Sequence, residues 1–272
     1  MKEKTLRVSV GGFGAIGRTV AAALDAGIPG LELAAVSARD TGRARAHMAA
    51  HFGTPSEVRP LECLSDGVDV VVECCPAHLF ETVALPALEA GKILVVASTG
   101  ALLHNRHLEA VALRTGGRIL VPSGALAGLD AVQAAALGRI DSITLVTRKP
   151  PASLKGAPAI AQMGLDLDAL TEPVCCYAGP VEDAIAGFPA NVNVAATLGF
   201  AGIGAADTRL EVWADPGVTR NIHAVTVISD SATISVQIEG MPSPDNPRTS
   251  RITPLSVIST LRRLTAPLVI GA

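Results

Sequence analysis

Apolar and polar positions change their rhythm once along this chain, near Leu129. Before that point, short apolar runs alternate with stretches of helical period. Leu6-Arg7-Val8-Ser9-Val10 reads as a buried strand running into glycines. Residues 15–26 place Ile16, Val20 and Leu24 at i, i+4 and i+8, the spacing of one helix face. Residues 31–37 predict a second strand, 41–51 a second helix, and 68–74 an unbroken apolar strand. A helix over 79–90 closes on Gly91, a residue suited to end it. Residues 93–97 and 118–121 predict two more strands. Apolar runs without alternation belong to strands covered on both faces. Strands separated by helices of about 10–15 residues predict βαβ units and a parallel sheet.

Beyond Leu129 the period becomes two. Residues 142–147, 210–214 and 231–238 alternate polar with apolar, and 221–228 is a further strand. Such alternation gives one wet and one packed face, hence an open and largely antiparallel sheet. Residues 191–200 form an Ala-rich helix, and 254–264 an amphipathic one able to fold back onto the first half. The expected fold class is therefore α/β. A Rossmann-type parallel-sheet domain over 1–128 binds a dinucleotide. A second α/β domain with a largely antiparallel sheet over 129–248 serves substrate binding, catalysis and dimerisation, and 249–272 packs back on the first.

Composition narrows the function classes. With 49% hydrophobic and 17% charged residues the chain is globular and apolar. No apolar run reaches the roughly 20 residues that span a bilayer, so no membrane partner is expected. Met1-Lys2-Glu3-Lys4-Thr5 leads straight into a strand pattern without a signal-peptide core, which predicts a cytoplasmic protein. A net charge of −3 and 3% aromatics supply neither the basic surface nor the stacking platforms that nucleic acid needs. Cys63, Cys74, Cys75, Cys175 and Cys176 have no metal-ligand spacing; they read as buried thiols, and no metal is expected.

The most specific local feature is Gly12-Phe13-Gly14-Ala15-Ile16-Gly17. A lone GxGxxG is weak, but this one follows a strand and opens a helix, the context in which it cradles a pyrophosphate. Gly12 permits the turn, Gly14 the close approach of backbone to phosphate, and Gly17 the packing of helix on strand, while the amides at Ala15 and Ile16 open the helix toward the anion. The second strand ends Ser37-Ala38-Arg39-Asp40, with no acid at its tip to take a ribose 2′-hydroxyl. Ser37 and Arg39 therefore suggest that NADP is accepted alongside NAD, although Arg39 can equally be a solvated charge. Cys75 and Pro76, with His78, lie after a strand at the sheet's carboxyl edge and line the cofactor crevice, as does the Ser98–Ala101 segment.

Five further segments are dispersed through the chain: Ser123–Asp130, Thr147–Pro151, Phe188-Pro189-Ala190-Asn191-Val192-Asn193-Val194, Arg220–His223 and Asn246–Ser250. In this order, with the glycine loop, they resemble the L-aspartate dehydrogenase family over essentially the whole chain. The resemblance implies NAD(P)-dependent oxidative deamination of L-aspartate to iminoaspartate, which hydrolyses to oxaloacetate and ammonia or feeds NAD biosynthesis. It also implies a homodimer, a catalytic histidine at His223, and cofactor contacts from the Ala127 backbone amide and from Asn193.

The chemistry of such a reaction asks for a base near neutral pKa, for which histidine is suited, and for cations that grip carboxylates. His223 ends an apolar strand stripe beside the polar run Thr219-Arg220-Asn221, and is expected to take a proton from the substrate ammonium or the attacking water. Arg148, Lys149 and Arg248 are the cationic candidates, with Arg220 and Arg251 behind them. Asn221, Thr249 and Ser250 offer hydrogen bonds to the same amino acid substrate. The same architecture also serves homoserine dehydrogenases, dihydrodipicolinate reductases, sugar oxidoreductases and non-catalytic NAD(P)H sensors. A sensor would need neither the histidine nor a carboxylate clamp.

Overall fold

Strands without polar alternation need cover on both faces, and the first half of the chain supplies it with helices between strands. The structure, a computed structural model, describes residues 5–54, 56–189, 192–243 and 250–271. They form two compact units, one running to Pro122 and including Pro254–Ile270, the other covering Ser123–Thr253.

The first unit opens with β1 (Leu6–Gly11), α1 (Ala15–Asp25), β2 (Leu31–Ser37), α2 (Thr41–His51) and the two-residue β3 (Glu57–Val58). It continues through β4 (Val70–Glu73), α3 (Phe80–Glu89), β5 (Ile93–Val96), α4 (Thr99–His104), α5 (His107–Thr115) and β6 (Arg118–Leu120). The strands lie in the order β3-β2-β1-β4-β5-β6, and every pairing is parallel. This is the doubly wound order, whose ligand crevice lies at the carboxyl ends where the order reverses beside β1. Residues 99–115, for which the sequence pattern suggested no element, form α4 and α5.

The second unit contains α6 (Leu129–Ala135), β7 (Ile140–Lys149), α7 (Pro158–Met163), β8 (Val174–Pro180), α8 (Val181–Gly187), α9 (Asn193–Ala201), β9 (Thr208–Ala214), β10 (Asn221–Ser229) and β11 (Thr233–Gly240). The sheet order is β11-β10-β7-β9-β8. Three pairings are antiparallel and β7 runs parallel to β9, so the sheet is mixed. The sequence pattern predicts every strand of this sheet but β8, an edge strand whose register shifts between Cys175 and Tyr177. A shifted edge strand has no clean period to read. The five cysteines are free thiols, but only Cys75 and Cys176 are buried; Cys74 and Cys175 are half-buried and Cys63 is exposed.

The last helix, α10 (Ile252–Arg263), contributes Val257 and Leu261 to the first unit's core beside Val8, Val10, Val20, Val70 and Val72. Just beyond it the Thr265 hydroxyl donates to the Pro29 carbonyl at 2.7 Å. Leu261 is fully buried, so Leu261→Ala should lose about 2–5 kcal/mol of stability through lost transfer and a residual cavity. Urea unfolding checks this; an unchanged midpoint would mean that α10 contributes little to this core.

Candidate active site

At the carboxyl edge of the first sheet the chain turns from β1 into α1 at Gly12, where φ is +95° and a side chain would stand 2.5 Å from the Cys74 carbonyl oxygen. Both the dihedral and the space require glycine. A Cβ on Gly17 would overlap the Gly12 carbonyl oxygen, whereas one on Gly14 would meet nothing within 4 Å. The loop is thus closed on the protein side and open at Gly14. That opening faces a cavity of about 1150 Å³ lined by Gly12, Gly14, Ser37, Arg39, Cys75 and Pro76 among others. Its size and the free turn at the helix start fit a dinucleotide.

Ala15, Ile16 and Gly17 do not line the cavity. Ala15 starts α1, Ile16 packs against the core, and Gly17 allows the close approach just described. Asp40 is engaged structurally, since its carboxylate accepts from the Arg43 amide at 2.9 Å and caps α2. The rim at Arg39 and Arg43 is therefore cationic beside a carboxylate already occupied. His78 reaches the cavity too. Ser98 stands behind it, joined to Glu73 and Cys75.

Glu73 is the residue that reading the sequence overlooked. It ends the otherwise apolar run Val70-Val71-Val72 and is completely buried. An acid in such a run is the available signal, because buried acids are rare unless bonded. Its carboxyl group accepts from the Cys75 amide at 2.7 Å and the Ser98 amide at 3.0 Å, and meets the Ser98 hydroxyl at 3.0 Å. It ties the loop after β4, which lines the cavity, to the loop after β5. Burial pushes its pKa up to about 7 against the opposing effect of these bonds. Burial also holds Cys75 up at about 12, with Glu73 adding to the effect, which favours the thiol over the thiolate at neutral pH.

The second unit concentrates its chemistry on one sheet face. Along β7 the buried side chains run Ile143, Leu145, Thr147, Lys149; along β10 they run Asn221, His223, Val225, Val227. The antiparallel register sets His223 opposite Thr147 and Ile222 opposite Arg148. The apolar face therefore ends in four polar side chains: Thr147, Lys149, Asn221 and His223. The His223 Nδ1 and Thr147 Oγ1 atoms are 3.1 Å apart. Burial first, and the Lys149 charge second, push the imidazole pKa down to about 3. Burial lowers Lys149 to about 8. Among the described residues the Asn221 Oδ1 atom is buried without a hydrogen-bond partner.

Burial withholds solvation from the imidazolium, so this face favours the neutral ring of His223. One expectation is corrected here. Arg148 is not brought to the cluster: alternation turns it to the opposite face, where it pairs with Asp215 at 3.1 Å and lies 4.9 Å from the Trp213 ring centre. Among the described cationic candidates, Lys149 is the one this face gathers. Arg220 is half-buried just ahead of β10, and Arg251 is exposed. Ala127 is exposed before α6, and Asn193 begins α9. Arg248 and Thr249 lie outside the described residues. No group of three or more potential metal ligands occurs among the described residues, and none of their helices is long and apolar enough to cross a membrane.

A doubly wound unit with a glycine loop and open cavity, followed by a sheet with a buried polar end, defines an NAD(P)-dependent oxidoreductase class. Comparison agrees: residues 12–122 match the family profile described as homoserine dehydrogenase, NAD binding domain, and residues 130–264 that described as aspartate dehydrogenase, C-terminal. L-aspartate dehydrogenase 3 of Bordetella bronchiseptica is 49% identical over 267 residues, covering 98% of this chain and 97% of that one. L-aspartate dehydrogenase of Bradyrhizobium diazoefficiens is 47% identical, covering 98% and 94%. The crystal structure of aspartate dehydrogenase from Thermotoga maritima superposes with a TM-score of 0.74 at 25% identity, covering 98% of this chain and 99% of that one. The chain belongs to the L-aspartate dehydrogenase family.

The two glycines should respond differently to a methyl group. Gly17→Ala forces overlap with backbone and should destabilise the fold by about 2 kcal/mol or more. Gly14→Ala should leave the melting temperature nearly unchanged and weaken dinucleotide binding; calorimetry of both variants separates the effects. Glu73, whose folded pKa is raised from 4.5 to about 7, retains a proton that the unfolded chain has lost. Stability should therefore fall as pH rises from 4.5 to 7, by on the order of 3 kcal/mol. In Glu73→Gln this slope should disappear, whatever the variant's absolute stability. A slope that survives the substitution would assign it to another group.

Proposed function

We propose that this protein oxidatively deaminates L-aspartate with NAD or NADP, giving iminoaspartate and, after hydrolysis, oxaloacetate and ammonia. The observation that carries the reading is the buried polar end of the second sheet, where Lys149, His223 and Asn221 share one face in a chain whose relatives bear that name. When bound, the nicotinamide accepts the hydride from Cα.

The protein's own residues divide the remaining work. In the first unit, Gly12 and Gly14 leave room for the pyrophosphate, and Cys75 and Pro76 border the cavity with their loop braced by Glu73. Ser37, Arg39 and Arg43 meet the adenosine ribose. Because Asp40 caps α2, the cationic rim suits a 2′-phosphate as well as a hydroxyl, which supports use of both cofactors. In the second unit, Lys149 offers a cation to one substrate carboxylate, and Asn221 Oδ1 offers a buried acceptor to the α-ammonium. His223 is the catalytic residue. A carboxylate seated beside Lys149 offsets the charge that disfavours imidazolium, so substrate binding itself shifts the proton affinity of His223. Ala127 and Asn193 are assigned to the cofactor, and the working form to a homodimer, on the family resemblance.

Following reduced nicotinamide absorbance with a panel of amino acids and both cofactors tests this reading. Turnover is expected with L-aspartate, and with oxaloacetate plus ammonia in reverse; inactivity with both would overturn the substrate assignment. His223→Asn should retain dinucleotide binding and lose about 100-fold or more in kcat, the scale of a lost acid–base or polarising group. Unchanged turnover in that variant would remove His223 from the chemistry.

A further inference from the structure

A neutral imidazole has one N–H and one bare nitrogen, and which is which decides what it can do to a substrate. Thr147 and His223 face each other across the β7–β10 ladder, each 3% exposed. Their contact, Oγ1 to Nδ1 at 3.1 Å, is compatible with either donor. The surroundings choose between them. Among the described residues, the Thr147 hydroxyl has His223 Nδ1 as its partner, and no protein group bonds His223 Nε2. If Nδ1–H donated to Thr147, the hydroxyl hydrogen would be buried without an acceptor. If the hydroxyl donates, that hydrogen is satisfied and the one left over is Nε2–H, which is not among the fully buried unpartnered atoms and stays open to solvent or substrate, the smaller loss.

We propose that the Thr147 hydroxyl donates to Nδ1 of His223 and thereby holds the neutral ring as its Nε2–H tautomer, so that His223 meets the substrate as a hydrogen-bond donor. Thr147 is then a positioning residue, and this role rests on the reading of His223 as catalytic. The donor is suited to the oxygen of the zwitterionic carbinolamine formed after water adds to the imine. There an oxygen lone pair forms C=O while the C–N bond breaks and its electrons leave with nitrogen as ammonia. Nε2–H stabilises the alkoxide before it collapses and keeps its own proton throughout.

Long-range proton–nitrogen correlation spectra of the ¹⁵N-labelled full chain report the tautomer directly, with His223→Gln identifying the resonance. The wild type is expected to carry its proton on Nε2. Thr147→Val, equal in shape but without the hydroxyl, should shift the ring toward Nδ1–H and lower kcat by about 10-fold or more, the equivalent of one lost polarising bond. The KM for L-aspartate should change much less. Thr147→Ser should restore both the tautomer and most of kcat, which a merely structural role for the threonine would not require. A proton on Nδ1 in the wild type, or an unaltered tautomer in Thr147→Val, overturns the proposal. Absence of turnover with L-aspartate in the wild type would instead overturn the substrate reading, and the spectra would still decide the tautomer.

Discussion

The register between β7 and β10 sets His223 opposite Thr147, and the chemistry of the second unit depends on it. Side chains alternate along a strand, so a slip of one residue would turn His223 and Asn221 to the other face while Val225 and Val227 left the core. The long apolar stretch of the same face supplies the preference for this pairing: Ile143 and Leu145 on β7, with Val225 and Val227 on β10, are all buried. The packing that stabilises the sheet thus also positions its polar end. No separate device is needed to bring the lysine, threonine, asparagine and histidine together.

That economy explains the electrostatics. A polar cluster continuing an apolar face inherits its poor solvation, which disfavours both imidazolium and ammonium. A histidine in water is half protonated near pH 6.5; here burial, with the Lys149 charge adding to it, favours the neutral ring. Glu73 in the first unit shows a different use of the same physics. Its bonds to two backbone amides fix the loops at the sheet's carboxyl edge, and burial raises the pKa of the carboxyl group to about 7. One buried group prepares a reaction, the other braces a binding surface.

The glycine loop shows how positions within one motif divide between binding and packing. Gly14 opens on the cavity, Gly17 is pressed against Gly12, and Ala15 and Ile16 carry the chain into α1 without lining the cavity. A motif written as a string of residues does not show this division, because each position answers to a different neighbour: Gly12 to the Cys74 carbonyl, Gly17 to the Gly12 carbonyl.

The sequence by itself determined the parallel sheet, the turn into α1, the strands of the second sheet other than β8, and the return of the last helix. These follow from periodicity and from glycine's freedom, both properties of neighbouring residues. His223 and Lys149 were legible as chemistry-bearing residue types, and the family motifs named the reaction. Tertiary structure alone decided which cation shares a face with the histidine, since Arg148 and Lys149 are adjacent in sequence and separated only by which way the pleat turns them. It also decided the roles of Glu73 and Thr147. Their partners, Ser98 and His223, stand 25 and 76 residues away, and a hydrogen bond between distant segments leaves no local pattern to read. Whether a histidine is base or donor is likewise set by what surrounds it after folding, because burial and neighbouring charge exist only once the chain has packed.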